Sequence, residues 1–176
     1  MNKLHPKYRY RVTEEFGTKD IILDLGVGNR KVYPFSVGLD IEDSEVVDIL
    51  ADATLLIPIP DNSVTHCYSY HMLEHITASS YRTLFKEVYR VCAPESELEW
   101  WVPYWTHHTA FDFNVVTRLN EYSFNSPIFQ NLFSIDEITY EYEELWQDKS
   151  EEEKSFARTH YMNVVKDMKL IFRPRK

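Results

Sequence analysis

Two acids and two glycines carry the strongest chemical signal in the chain. The apolar run Ile21-Ile22-Leu23 ends in Asp24, Gly26 and Gly28 follow, and a second run, Val37-Gly38-Leu39, ends in Asp40. An apolar run closed by an acid, then glycines one residue apart, predicts a buried strand feeding a tight loop where backbone approaches a ligand. In parallel α/β sheets ligands sit beyond the carboxyl ends of the strands, so Asp24, Gly26, Gly28 and Asp40 are expected to converge on one crevice. Three histidines, His71, His107 and His108, are candidates for accepting a proton there. His71-Met72-Leu73-Glu74-His75 also spells the His-x-x-Glu-His pattern of zinc hydrolases. That pattern belongs inside a helix, whereas here a predicted strand runs straight into it. Glu74 and His75 are therefore expected to brace a turn, with no metal bound.

Charge and spacing narrow the ligand. A dinucleotide fingerprint needs a third glycine where Lys31 stands and an acid roughly 20 residues further on, and Asp40 comes too soon. Two like charges about 4 Å apart repel by about 4 kcal/mol at an effective dielectric near 20. Asp24 at the loop mouth would thus disfavour a pyrophosphate and favour a cation. A nucleoside joined to an ammonium and a sulfonium satisfies both acids, and S-adenosylmethionine is that ligand.

With these residues in view, the chain resembles the class I S-adenosylmethionine-dependent methyltransferases, in the branch typified by methyltransferase-11-like domains. Ala51-Asp52-Ala53-Thr54 and Ile57 to Val64 are similar to the family's third strand end and the turn before strand four. Tyr68-Ser69-Tyr70-His71-Met72-Leu73-Glu74-His75-Ile76 resembles its strand-four end, Leu84 to Val91 the helix after it, and Leu98 to Tyr104 strand five. The resemblance covers residues 20 to 105 in order. It implies a Rossmann-like, doubly wound α/β fold: a mostly parallel seven-stranded sheet with a C-terminal antiparallel strand, in a three-layer sandwich. It also implies roles: Asp24 and Gly26 against the methionine portion, Asp40 on the ribose diol, Ile41 on adenine, and Asp52 with Ala53 at the adenine edge. Gly28 and Ser69 complete the cofactor-binding set, and His71 follows the strand whose end faces the sulfonium. The chain departs from the family at Ala93-Pro94-Glu95-Ser96, where Pro-Gly-Gly is usual. It departs again at Asp112-Phe113-Asn114-Val115, where one branch shows Asp-Pro-x-His. The second departure leaves a catalytically silent, cofactor-binding subunit as the alternative to an enzyme, with a zinc hydrolase behind both.

The whole chain must position these residues. Its 176 residues fit one domain: a core over 20–105, a substrate or lid region over 106–133, and a terminal strand pair within 136–176. Helices are expected over 7–16, 79–91 and 150–162. Strands are expected over 20–24, 36–40, 46–50, 64–70, 98–102, 138–146 and 168–173. Only fifteen residues separate Asp24 from Asp40, too few for a long first helix. Trp100, Trp101, Tyr104 and Trp105 mark strand five, so some of them should be core and others face a substrate. The two cysteines, Cys67 and Cys92, make no disulfide framework and suit a reducing cytosol. No apolar stretch is long enough to span a membrane. A net charge of −9 disfavours nucleic acid, whose binders line up Lys and Arg. The expected partner is a small-molecule, glycan or protein methyl acceptor, in a cytoplasmic protein that could also form a homodimer.

Overall fold

The structure, a computed structural model, describes residues 9–10 and 20–176. Within them one sheet contains β1 (Arg9–Tyr10), β2 (Ile21–Leu25), β3 (Val37–Asp40), β4 (Ile49–Leu50), β5 (Val64–Tyr70), β6 (Cys92–Pro103), β7 (Phe133–Tyr142) and β8 (Val165–Pro174). The spatial order is β1-β4-β3-β2-β5-β6-β8-β7. Strands β2 to β6 pair parallel, and β8 runs antiparallel to both of its neighbours. The seven expected strands are present with the reversed one at β8, and the short β1 adds an antiparallel edge beside β4.

Burial explains the pattern of the strands. In β2 every residue but Ile22 is buried, as a central parallel strand requires. From Leu98 onward β6 alternates: Leu98, Trp100 and Val102 are buried, whereas Glu99 and Trp101 turn to the other face. On the buried face stand α1 (Tyr81–Val91) and the single-turn α2 (Pro127–Gln130). Phe129 of α2 packs 5.1 Å from both Phe133 and Phe172, Trp100 lies 4.7 Å from Phe172, and Phe85 of α1 lies 5.3 Å from Phe129. Such ring pairs add about 0.5–1.5 kcal/mol each beyond the area they bury. Two more helices follow β7: α3 (Glu144–Gln147) and α4 (Glu151–His160), the latter laying Arg158 over the Tyr140 ring at 4.0 Å. The opposite face carries Tyr68, Tyr70, Glu97, Glu99, Trp101, Lys169 and Ile171, all partly exposed. The connections between β2, β3 and β4 contain no helix.

Several boundaries differ from the sequence-based expectations. The helix expected over 7–16 lies outside the described residues except at Arg9–Tyr10, which is strand. The strand expected to reach residue 146 stops at Tyr142, because Glu143 N–H bonds Val164 O and the chain turns into α3. Strand β6 starts at Cys92 rather than Leu98. Its partner register jumps from Val64↔Cys92 to His66↔Glu97, so residues 93–96 bulge out where the family turns. Residues 106–133, the expected substrate or lid region, form two 3-10 helices and α2, and bury Phe124 and Phe129 in the core. No helix of the described residues is long and apolar enough to cross a membrane. Cys67 and Cys92 are both free and buried.

Arg90, near the end of α1, fastens the segment leading into β5. Its guanidinium donates to Ile57 O at 2.6 Å, Ile59 O at 2.9 Å, Asp61 and Glu87. Losing it strands two carbonyls of buried residues, at a cost of about 2–3 kcal/mol. Urea unfolding of Arg90→Met should show that loss; a change below about 0.5 kcal/mol would contradict this role.

Candidate active site

The cleft is built at the carboxyl edge of the parallel strands. After β2 the chain turns at Gly26, φ 75°, and the Gly26 and Val27 amides both donate to Leu39 O. A Cβ on Gly26 would stand within the Met72 side chain at both Cβ and Cγ, which only glycine avoids. Asp40, ending β3, holds the loop: one carboxylate oxygen accepts Gly28 N–H at 2.8 Å and the other Glu42 N–H at 2.9 Å. Ser44 Oγ closes the same turn on Gly28 O at 2.7 Å. Asp52 Oδ1 accepts both the amide and the hydroxyl of Thr54, fixing the turn after β4.

The resulting cleft measures about 710 Å³, inside the roughly 300–1,000 Å³ of small-molecule sites. Gly26, Gly28, Asp40, Ile41, Asp52 and Ala53 of the expected cofactor set line it, with Ile41 66% exposed, an apolar wall awaiting a partner. Ser69 and Asp24 do not line it. Ser69 is buried, and its hydroxyl has no hydrogen-bond partner among the described residues. Asp24 stands behind the loop, 2% exposed, and accepts Val32 N–H at 2.7 Å. Burial raises its pKa against the opposing pull of that amide and of Lys31. Lys31 itself is turned away to Ser36 O and Asp48. The acidity of the cleft comes instead from Asp40, Glu42, Asp43 and Asp52, and among the described residues no Lys or Arg lines it.

His71 also lines the cleft. It follows β5 with φ 53°, a backbone state costing a non-glycine residue on the order of 1–3 kcal/mol and found mainly at functional sites. Its N–H bonds Trp101 O, its ring stacks on Tyr70 at 4.2 Å, and Nε2 donates to Asp167 Oδ1 at 2.8 Å. Asp167, on β8, is 0% exposed. Burial pulls the His71 pKa down, but the hydrogen bond and charge of Asp167, with Glu74 behind, outweigh it and leave the value raised. Glu74 is buried and its pKa raised by that burial, and one of its oxygens is unpartnered.

The zinc pattern does not assemble. His75 Nδ1 donates to Asn114 O at 2.8 Å while His71 turns to Asp167, so the two rings address different partners. Among the described residues no group of three or more His, Cys, Asp or Glu is placed to hold a metal ion. His107 and His108 are absent from the lining. His107 is buried with both nitrogens engaged, Nδ1 with Thr109 Oγ1 at 2.8 Å and Nε2 with Glu143 at 2.7 Å. His108 is exposed, and its backbone N–H bonds Asn163. Of residues 112–115, whose divergence suggested a silent subunit, only Asn114 reaches the cleft. Sequence reasoning missed Asp167 and Asn114 and read His75 only as a brace. The histidine was flagged by its motif, but Asp167 meets His71 across 96 residues with no local signal.

Comparison with known proteins bears on the fold. Residues 35–98 match the sequence model of the methyltransferase domain family. No curated protein matches the chain. A SAM-dependent methyltransferase from Archaeoglobus fulgidus superposes with TM-score 0.64 at 17% identity, over 89% of this chain and 86% of that one. One from Mesorhizobium loti gives TM-score 0.60 at 14% identity, over 87% and 90%. The phosphoethanolamine N-methyltransferase 2 of Haemonchus contortus, solved with S-adenosyl-L-methionine, gives TM-score 0.56 at 13% identity, over 92% of this chain and 50% of that one. The chain thus shares the fold of SAM-dependent methyltransferases, and its residues 35–98 match the methyltransferase domain family.

Proposed function

We propose that this protein binds S-adenosylmethionine in the cleft and catalyses methyl transfer from it. The observation that carries the reading is the donor set. Among the described residues four carboxylates and no lysine or arginine line the cleft, with an exposed Ile41 beside Asp40. That set suits a cation carrying hydroxyls and an apolar ring, and repels a pyrophosphate. Asp40 would take the ribose hydroxyls, Ile41 would cover adenine, Asp52 and Ala53 would meet its edge, and the Gly26–Gly28 loop would lie along the amino-acid end. When bound, the cofactor supplies a methyl group on a positively charged sulfur. The chain's part is to align an acceptor with that methyl, a step in which positioning alone gives large accelerations.

The same lining bears on the acceptor. A phosphate or nucleic-acid acceptor would enter against the charge of Asp40, Glu42, Asp43 and Asp52, so the acceptor is a neutral or cationic small molecule, glycan or protein side chain. Two free, buried cysteines suit work in a reducing compartment such as the cytoplasm.

Charge-assisted hydrogen bonds from ribose to carboxylate contribute about 1.5–3 kcal/mol each. Asp40→Ala should therefore weaken S-adenosylmethionine binding at least tenfold in calorimetric titration while the protein stays folded, and NADH should bind neither form. Unchanged affinity would remove the site assignment. Gly26→Ala should also impair binding, since the added methyl displaces Met72 from the cleft wall. A wild-type titration curve and melting temperature for that variant would show the loop to be looser than described.

A further inference from the structure

The reversed strand β8 brings a buried carboxylate against His71 of the cleft lining. Asp167 is 0% exposed, accepts a hydrogen bond from His71 Nε2 at 2.8 Å, and leaves its second oxygen without a hydrogen bond among the described residues. Its neighbours Met168, Leu170 and Phe172 are buried apolar residues, and an apolar side chain would fill the position at lower desolvation cost. With Nε2–H committed to a carboxylate, the neutral ring carries its lone pair on Nδ1. No hydrogen bond occupies Nδ1 among the described residues, and His71 lines the cleft. A ring fixed in one tautomer and orientation by a carboxylate, with its other nitrogen open, is an arrangement for accepting a proton.

We propose that Asp167 is a positioning residue that fixes His71 as the proton acceptor for methyl transfer, with Nδ1 receiving the proton from a hydroxyl or protonated amine acceptor. The inference rests on the cofactor reading above. The acceptor's lone pair forms a bond to the methyl carbon while the carbon–sulfur bond breaks and sulfur keeps both electrons. The acceptor's proton passes to Nδ1, either before or during attack, and the imidazolium formed is held by the Asp167 carboxylate until it releases the proton to water. Acceptors that already attack as anions need no such base and would meet the acidic lining, so the pairing and the lining favour the same substrate class.

The groups that face the His71 ring are Asp167 and Lys166 from β8, Glu74 from the 3-10 turn at Leu73–His75, and Tyr70 from β5. Asp167 is the one that holds the proton on the ring against burial. Without its charge, burial should dominate and the ring should bind a proton less tightly. The base form would then be present at lower pH but with its orientation lost.

Long-range nitrogen NMR of the full chain labelled at histidine reads tautomer and protonation directly. Neutral His71 in the wild type should be the Nε2–H tautomer, and in Asp167→Asn it should bind its proton at least tenfold less tightly. Sinefungin, which carries an ammonium where the methyl group would be, should weaken proton binding at His71 at least threefold more than S-adenosylhomocysteine does. The Nδ1–H tautomer in the wild type, or equal effects of the two ligands when both are bound, would overturn the proposal while leaving the cofactor site intact. Failure of either ligand to bind the wild type would overturn the cofactor reading and this inference together. Should Asp167→Asn not fold, the wild-type tautomer and the ligand comparison still decide.

Discussion

The antiparallel insertion of β8 into an otherwise parallel sheet is the constraint on which the cleft depends. Strands β2 to β6 all deliver their carboxyl ends to one edge, where the chain must turn sharply and expose backbone amides. Because β8 runs the other way beside β6, its beginning lies at that same edge, with Asp167 opposite Pro103. The topology therefore sets a residue that starts one strand against a residue that follows another. His71 and Asp167 meet for this reason, although 96 residues separate them. The left-handed backbone of His71 completes the approach by turning the ring off the end of β5.

The cleft's walls follow from the same edge. Tight turns leave amides without sheet partners, and such groups must be satisfied. Asp40 takes those of Gly28 and Glu42, Asp52 takes that of Thr54, and Asp24 takes that of Val32. Asp40 and Asp52, which line the cleft, are thus held in orientation by the backbone amides they accept from. Rigid donors and acceptors of this kind lower the entropy cost of binding. The short connections between β2, β3 and β4 contain turns in place of helices, so no helix amino terminus from these connections stands at this part of the edge.

The parallel half of the fold was legible because its strands are buried on both faces and read as apolar runs ending in acids, as at Ile21–Asp24 and Val37–Asp40. The bulge at residues 93–96 was not, since Pro94, Glu95 and Ser96 look like a turn in sequence yet lie within β6. The end of β7 was misplaced because Trp146 continues the apolar pattern, although a backbone bond between Glu143 and Val164 has already ended the strand. Asp40 was expected in the cleft from its place at a strand end, and Ile41 and Asp52 from the resemblance, and all three line it. Asp24 ends a strand as expected but stands behind the loop, outside the cleft lining, because Val32 folds back onto its carboxylate. His107 looked available and is not, because Glu143 and Thr109 engage both its nitrogens. Asp167 was invisible, since an acid in Lys166-Asp167-Met168-Lys169 looks like any other solvated charge until β8 is placed in the sheet.

A crystal structure of the protein with S-adenosylhomocysteine tests the central claim most directly. The account predicts the ribose hydroxyls on the Asp40 carboxylate, the adenine against Ile41, and the sulfur directed toward the end of the cleft lined by His71. A ligand seated elsewhere, or one whose sulfur points away from His71 with Asp40 unengaged, would contradict it.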